Sequence, residues 1–219
     1  MYRLKTRSIW PAAKERFYKF LDYTNKFNLE KNILIIGCSD GTYVFPAAIR
    51  GFKVFGIDID KEALYGSDDI EIDGKKRKYL GLEKRIEIEG LSDNIKFEAT
   101  DFMKLDNKEK YSLVFSSGMI HYMYNSIYTL EDMLNKMISF LDMNGVLLLE
   151  YISKDENTDN TRHFYLKEDF DNLLKNRDDI RIISHISKTY EEKPNIRDNK
   201  VHVITWNRLY VQRVKWFYD

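Results

Sequence analysis

The sequence contains one cysteine and three prolines among its 219 residues. A single cysteine cannot form an internal disulfide, so a disulfide-held scaffold is excluded and a reducing compartment is favoured. A chain of this length can bury about 70% of its unfolded surface as one domain. We therefore expect one domain over residues 1–219, in the cytoplasm, that needs neither a disulfide nor a metal to fold.

An excess of one charge and a long apolar run are also missing. Lys and Arg together number 35, as do Asp and Glu, so the formal net charge is zero. Binding nucleic acid by bulk electrostatics normally requires a basic excess, and a membrane span requires about 18 apolar residues in a row. Residues 1–8 lead into no apolar signal-peptide core. The sequence therefore predicts no nucleic-acid partner and no membrane association.

The chain does contain alternating predicted helices and strands, which indicate a largely parallel sheet covered on both faces. Apolar residues at helical spacing predict helices, and short apolar runs predict buried strands. The predicted helices cover 11–27, 42–50 and 130–141, and the predicted strands cover 32–36, 52–58, 95–99, 111–116 and 146–151. Residues 61–93 are harder to assign: a helix begins at Glu62 and is interrupted at residues 66–69, and residues 75–90 allow either a second helix or part of a hairpin.

The last third of the chain changes pattern. A short helix is predicted at 166–175, followed by strands at 179–187 and 200–213 with no helix between them. Two strands joined without a crossover helix must run antiparallel. The order predicts five βα-type units followed by a closing antiparallel β-hairpin.

Small and acidic residues follow the predicted strands. The first strand leads into Gly37, Ser39 and Gly41, a G-x-S-x-G pattern at the start of a helix. Glycine allows close backbone approach to a ligand, and a helix N-terminus favours a carboxylate or phosphate. Asp58 ends the second strand, where an acidic residue can accept hydrogen bonds from ribose hydroxyls. Asp101 follows the third strand, at the same edge of the sheet, where ligands bind in open α/β sheets.

With these motifs the chain resembles the class I S-adenosylmethionine-dependent methyltransferases, in particular the small single-domain type. The resemblance covers roughly residues 32–215, and its motifs are ILIIGCSDG (33–41), VFGIDID (54–60), ATDF (99–102), YSLVFSSGMIHY (111–122) and FLDMNGVLLLEY (140–151). It implies a Rossmann-like, seven-stranded, mostly parallel sheet with a C-terminal antiparallel β-hairpin. It also implies S-adenosylmethionine as cofactor and methyl transfer to an O, N or S atom of a small-molecule acceptor.

The resemblance further assigns roles to individual residues. Gly37, Ser39 and Gly41 would surround the methionine moiety and the ribose. The remaining cofactor-binding residues would be Asp58 on the ribose hydroxyls, Ile59 against the adenine, Asp101 on the adenine amino group, Phe102 through its backbone N–H, and the backbone of Ser117 on the amino-acid part.

Two positions depart from the family pattern. Ile35 stands where an acidic residue is common, and Ser39 stands where glycine is common. Because Ile35 removes one anchor of the cofactor amino group, a non-catalytic S-adenosylmethionine-binding protein stays open as an alternative. A methyltransferase acting on tRNA or an RNA cap is a second alternative, and a NAD-binding oxidoreductase is a more distant third.

His121 is the candidate general base, because it follows the fourth strand and its ordinary pKa of about 6.5 suits proton transfer near neutral pH. Positioning of the acceptor is the equal alternative for this residue. Tyr122 is the second catalytic candidate, followed by Tyr151 and His163. The remaining assignments are structural or accessory: His185 and His202 in the hairpin, Cys38 in packing, and Arg7 and Trp10 in a lid formed by residues 1–31. No zinc-ligand spacing is present.

Overall fold

The computed structural model describes residues 3–10, 14–72, 75–106, 108–123, 127–155, 164–192 and 202–214. The predicted start of the first helix at Pro11, and the candidate His163, lie outside these ranges. The helices are α1 (Lys14–Leu21), α2 (Tyr23–Phe27), α3 (Val44–Ile49), α4 (Lys61–Tyr65), α5 (Leu82–Glu89), a 3₁₀ helix (Ile120–Tyr122), α6 (Leu130–Ser139) and α7 (Lys167–Leu174). The strands are β1 (Asn32–Ile36), β2 (Lys53–Asp58), β3 (Ser67–Ile72), β4 (Lys75–Tyr79), β5 (Ile95–Ala99), β6 (Tyr111–Ser117), β7 (Leu141–Asp155), β8 (Ile180–Glu192) and β9 (His202–Arg213).

Seven strands form one sheet in the order β5-β2-β1-β6-β7-β9-β8. The first five strands in this order pair in parallel, and β9 pairs antiparallel with both β7 and β8. The predicted fold, a mostly parallel Rossmann-like sheet closed by an antiparallel hairpin, is confirmed. From β1 the sheet is extended on one side by β2 and β5, and the chain then continues on the other side of β1 with β6. The carboxyl ends of β1 and β6 therefore flank a crevice of the kind that binds ligands.

Helices cover both faces of this sheet because its central strands are apolar on both sides. On one face α1, α3, α4 and α5 pack around Phe17, Phe45 and Phe115. On the other face α6 and α7 pack around Met133, Met137 and Phe170. A capping box between Thr129 and Asp132 fixes the start of α6 and satisfies free backbone N–H groups there.

Several boundaries differ from the sequence prediction. Residues 67–72 and 75–79 pair as a separate two-stranded hairpin, β3-β4, so of residues 75–90 only 82–89 are helical. The helix at 42–50 begins only at Val44. Pro46 is therefore in the first turn, where its missing N–H removes no helical hydrogen bond. The strand predicted at 146–151 extends over 141–155, because it pairs with β6 on one side and β9 on the other.

No helix in the part of the chain that the structure describes is long and apolar enough to cross a membrane.

Candidate cofactor and acceptor site

The loop after β1 has a backbone that only a few residue types adopt easily. Gly37, Ser39 and Gly41 have φ angles of 73°, 48° and 93°, in the region that strongly favours glycine. The N–H groups of Gly37 and Cys38 donate to the carbonyl oxygen of Ile57, at 2.8 and 3.1 Å. The loop is thereby tied to the end of β2. This explains the alternation of small residues that the sequence shows.

Asp58, at the end of β2, is bound to this loop. Its Oδ2 accepts from the N–H of Ser39 at 2.7 Å, and its Oδ1 accepts from the N–H of Asp60 at 2.9 Å. Burial raises the pKa of Asp58 and outweighs the backbone hydrogen bonds from Asp60, Ser39 and Ile59, which lower it. A carboxylate offers about four acceptor positions. Asp58 therefore keeps acceptor capacity for a further ligand, such as a hydroxyl group.

Ile59 follows Asp58 and is 69% exposed. A large aliphatic side chain beside a buried carboxylate offers the apolar surface that an aromatic base requires. Asp101 is half-buried after β5, and Phe102 is buried. Within the described residues the only side-chain hydrogen bond of Asp101 is from the N–H of Met103 to Oδ1, at 3.0 Å. Its other carboxylate oxygen can accept from a ligand.

The carboxyl end of β6 carries the remaining predicted residues. Gly118, with a φ of 69°, donates its N–H to the carbonyl oxygen of Glu150 at 2.9 Å. The Oγ of Ser117 donates to Oε2 of Glu150 at 2.9 Å. His121 lies in the 3₁₀ helix that follows; its side chain is outside the described residues. Tyr122 ends that helix and is 60% exposed.

Residues 8–10 pack against the glycine loop, on the side where the sequence predicts a lid. The Nε1 of Trp10 donates to the Oγ of Ser39 at 3.1 Å. The Oγ of Ser8 donates to Oδ1 of Asp40 at 2.6 Å, and the N–H of Ile9 donates to Oδ2 at 3.1 Å. Arg7, the other lid candidate, is exposed.

A buried ion pair lies beneath this segment, and sequence reasoning missed it. The Nη1 of Arg85, from α5, is 3.2 Å from Oδ2 of Asp40, and both side chains are almost fully buried. Arg85 Nε donates to Oγ1 of Thr6 at 3.1 Å, and Thr6 in turn donates to Glu89 from Oγ1 and from its backbone N–H. Because the partners are more than 40 residues apart in the sequence, no local sequence pattern predicts this network.

Tyr79, the last residue of the β3-β4 hairpin, also faces the loop. The pKa of Tyr79 is raised by burial and by the charges of Asp40 and Asp60, against a hydrogen bond with Ser39. The hairpin, the N-terminal segment and the glycine loop therefore meet at Ser39.

Tyr151, a lesser candidate for the base, is fully buried. Its hydroxyl is 2.8 Å from Nε2 of His185, and Nδ1 of His185 is 2.6 Å from Oδ1 of Asp171. Burial lowers the pKa of His185 and outweighs the opposing effect of Asp171. The neutral imidazole therefore donates to Asp171 and accepts from Tyr151. These two hydrogen bonds join β7, β8 and α7. His185 is structural, as expected, and Tyr151 serves the same core contact.

Cys38 is buried, and its Sγ would lie 2.9 Å from a Cβ added to Gly56. Glycine at position 56 thus makes room for this packing cysteine. Burial, together with the nearby charges of Asp58 and Asp40, raises the pKa of the Cys38 thiol. Among the described residues no group of three or more His, Cys, Asp or Glu side chains is arranged to hold a metal ion.

The chain belongs to a methyltransferase family. A family model described as "Methyltransferase domain" matches residues 28–210. The predicted class is therefore confirmed, and so is S-adenosylmethionine as the cofactor used by the family. The residues at the site fit S-adenosylmethionine, because the carboxylates of Asp58 and Asp101 can accept hydrogen bonds and Ile59 offers an exposed apolar surface along the same edge of the sheet. A comparison with curated proteins gives no significant match.

Solved methyltransferase structures share the fold at low sequence identity. TehB from Haemophilus influenzae superposes with a TM-score of 0.65 at 14% identity, over 90% of this chain and 62% of TehB, so the chain spans less than two thirds of that relative. An S-adenosylmethionine-dependent methyltransferase from Clostridium acetobutylicum ATCC 824 gives 0.64 at 14%, over 94% and 93% of the two chains. A putative RNA methyltransferase from Pyrococcus horikoshii gives 0.61 at 14%, over 98% and 93%.

Proposed function

We propose that the protein transfers the methyl group of S-adenosylmethionine to an O, N or S atom of a small-molecule acceptor. The observation that carries this proposal is the position of Asp58, Ile59 and Asp101 beside the glycine loop at the switch point of the sheet. The single cysteine is compatible with a cytoplasmic location.

Each predicted residue would have a defined task in binding the cofactor. Asp58 would accept from the ribose hydroxyls with the acceptor capacity that its backbone hydrogen bonds leave free. Ile59 would cover the adenine, and Asp101 would accept from its amino group, beside the backbone N–H of Phe102. The methionine part of the cofactor would be surrounded by Gly37, Ser39 and Gly41 and by the backbone of Ser117.

When bound, the cofactor supplies an activated methyl sulfonium. The protein then has to align the acceptor atom with the methyl group and remove a proton where the acceptor has one to lose. We assign proton removal or acceptor positioning to His121, because its backbone follows β6 at the edge where the crevice opens. Tyr122 is the second candidate, and its exposure leaves it accessible to an acceptor.

Residues 1–31 are proposed to act as a lid. Contacts from Ser8, Ile9 and Trp10 to the glycine loop support this role, since they hold the segment beside the cofactor-binding backbone. Closure of such a segment would exclude water from the reaction.

Two alternatives differ from this proposal in class. An RNA acceptor is favoured by the likeness to the putative RNA methyltransferase, whereas the zero net charge favours a small acceptor. A non-catalytic cofactor-binding protein would bind S-adenosylhomocysteine and yet transfer no methyl group from labelled S-adenosylmethionine to any acceptor.

Titration calorimetry with S-adenosylhomocysteine tests the cofactor assignment. We expect binding by the wild type and a loss of roughly 1.5–3 kcal/mol in Asp58→Ala, the usual value of hydrogen bonds to a charged group. Unchanged affinity would remove Asp58 from the ribose site. Once an acceptor is found, His121→Ala should lower turnover by about 10²–10⁴-fold. His121→Gln separates the roles, because full activity in that variant means positioning and not proton transfer.

A further inference from the structure

Two arginines share one buried carboxylate beside Ser117. Glu150, on β7, is almost fully buried, and its Oε1 lies 3.5 Å from Nε of Arg16 and 3.6 Å from Nε of Arg208. Its Oε2 accepts from the Oγ of Ser117 at 2.9 Å. Glu150 therefore holds a guanidinium from α1 and another from β9 next to the end of β6.

This arrangement leaves a positive charge without a partner. Two guanidiniums and one carboxylate carry a net charge of +1 at neutral pH, and within the described residues Glu150 is the only group that ion-pairs with either arginine. The Nε atoms of both are buried without a hydrogen-bond acceptor in that part of the chain. The side chains are nevertheless 31% and 16% exposed, so their remaining N–H donors are accessible to a ligand.

The position of Arg208 separates it from the cofactor. The crevice for the cofactor lies over β1 and β2, on one side of β6, whereas β9 lies on the other side, beyond β7. Adjacent strands are about 4.8 Å apart, which places Arg208 roughly 10 Å beyond β6. An acceptor that approaches the methyl group from outside the cofactor crevice would occupy this side.

The same face of the sheet also carries apolar side chains and one lysine. Arg208 pairs with Glu150 and Ile186, and Trp206 pairs with Ile152 and Lys188, so these six side chains share one face. Ile186 is 50% exposed. A cationic group bordered by apolar side chains is suited to a ligand with an apolar body and an anionic end.

We propose that the methyl acceptor is a small carboxylic acid whose carboxylate binds Arg208 and Arg16. Arginine binds carboxylates through two parallel N–H donors, which fixes orientation as well as charge. Glu150 is then a positioning residue that orients both guanidiniums. This inference rests on the proposed methyltransferase function and adds to it the chemical class of the acceptor.

Two pairs of probes test it: benzoate with benzamide, and indole-3-acetate with indole-3-acetamide. Each acid and its neutral amide are titrated into protein saturated with S-adenosylhomocysteine, with saturation-transfer NMR as readout. The wild type should prefer at least one acid over its amide by about tenfold or more, the value of a charge-assisted hydrogen bond. Arg208→Gln should abolish that preference without changing the affinity for S-adenosylhomocysteine.

Two variants serve as controls. Arg208→Lys keeps a charge beside Glu150 and should retain a reduced preference. Arg181→Gln removes an exposed arginine from the neighbouring strand β8 and should retain all of it.

The acceptor proposal is overturned if neither acid is preferred over its amide, or if Arg208→Gln weakens S-adenosylhomocysteine instead, since the guanidinium would then hold the carboxylate of the cofactor. Failure of the wild type to bind S-adenosylhomocysteine at all contradicts the proposed function itself.

Discussion

Replacing Asp40 by asparagine removes one charge from a buried ion pair and leaves the side-chain shape almost unchanged. Asp40 Oδ2 faces the guanidinium of Arg85 at 3.2 Å, and the same carboxylate accepts from Ser8 and Ile9. Arg85 also lies over the ring of Phe45, 4.7 Å from its centroid. In Asp40→Asn the guanidinium stays buried and loses its ion-pair partner, with Glu89 as the remaining carboxylate whose charge acts on it.

The expected loss follows from this burial. Removing one partner of a buried pair typically costs about 3–5 kcal/mol, because an uncompensated charge remains. A domain is stable by only about 5–15 kcal/mol, so Asp40→Asn should lose a large share of the free energy of unfolding. Glu15→Gln is the matched control, since its ion pair with Lys19 is formed by side chains that are 84% and 73% exposed, and it should leave stability unchanged.

Urea unfolding measures this difference, and Arg85→Met completes a double-mutant cycle. The double variant should be more stable than Asp40→Asn alone, because it no longer buries an unpaired charge. Asp40→Asn should also release residues 8–10, so trypsin should cleave the native protein faster after Arg7. If Asp40→Asn unfolds like Glu15→Gln, or if the cycle shows no coupling, the pair contributes neither to stability nor to holding the N-terminal segment.

Two further predictions concern Ser39 and His185. Ser39→Ala keeps the left-handed backbone but loses the contacts to Trp10 and Tyr79, so urea unfolding should show a loss of about 1–3 kcal/mol for two hydrogen bonds. Ser39→Gly loses the same contacts but relieves about 1–2 kcal/mol of backbone strain, so its stability should be nearly unchanged. An equal loss in both variants would contradict this reasoning. Burial lowers the pKa of His185 in the folded protein, so unfolding at acidic pH is accompanied by proton uptake. The contribution of His185 to stability is complete above the unfolded pKa of about 6.5 and falls as the pH drops towards the folded pKa. Urea midpoints at pH 5 and pH 8 should differ less in His185→Gln than in the wild type, and an unchanged difference would exclude this histidine as the source.

The sheet itself could be predicted from the sequence because its signals are local. Apolar runs such as 32–36 identify buried strands, and the missing crossover helix between 187 and 200 dictates an antiparallel pair. The alternatives left open for residues 61–93 have a physical origin. The strands of β3-β4 are six and five residues long, which is too short to show a clear period, and the charges of that segment are equally compatible with a helix.

The placement of the candidate cofactor residues at the strand ends could likewise be predicted, because a βα turn fixes their positions by chain order alone. The cluster of charged side chains around Glu150 could not. Arg16, Glu150 and Arg208 come from a helix and two strands separated by long stretches of chain, and each looks in isolation like an ordinary surface charge. The pairing of β7 with β9 brings Glu150 and Arg208 to one face, and α1 adds Arg16 on that face.

Ser39 combines the local requirement of a turn with contacts to residues that are distant in the sequence. Its φ of 48° shows that the turn keeps the conformation for which glycine is the usual residue, so the requirement of the fold is unchanged although the residue differs. The hydroxyl of Ser39 accepts from Trp10, 29 positions earlier in the chain, and contacts Tyr79 of the β3-β4 hairpin. Glycine at this position would keep the turn but lose both contacts. The serine therefore ties the N-terminal segment and the hairpin to the glycine loop, which explains a residue that the turn alone does not require.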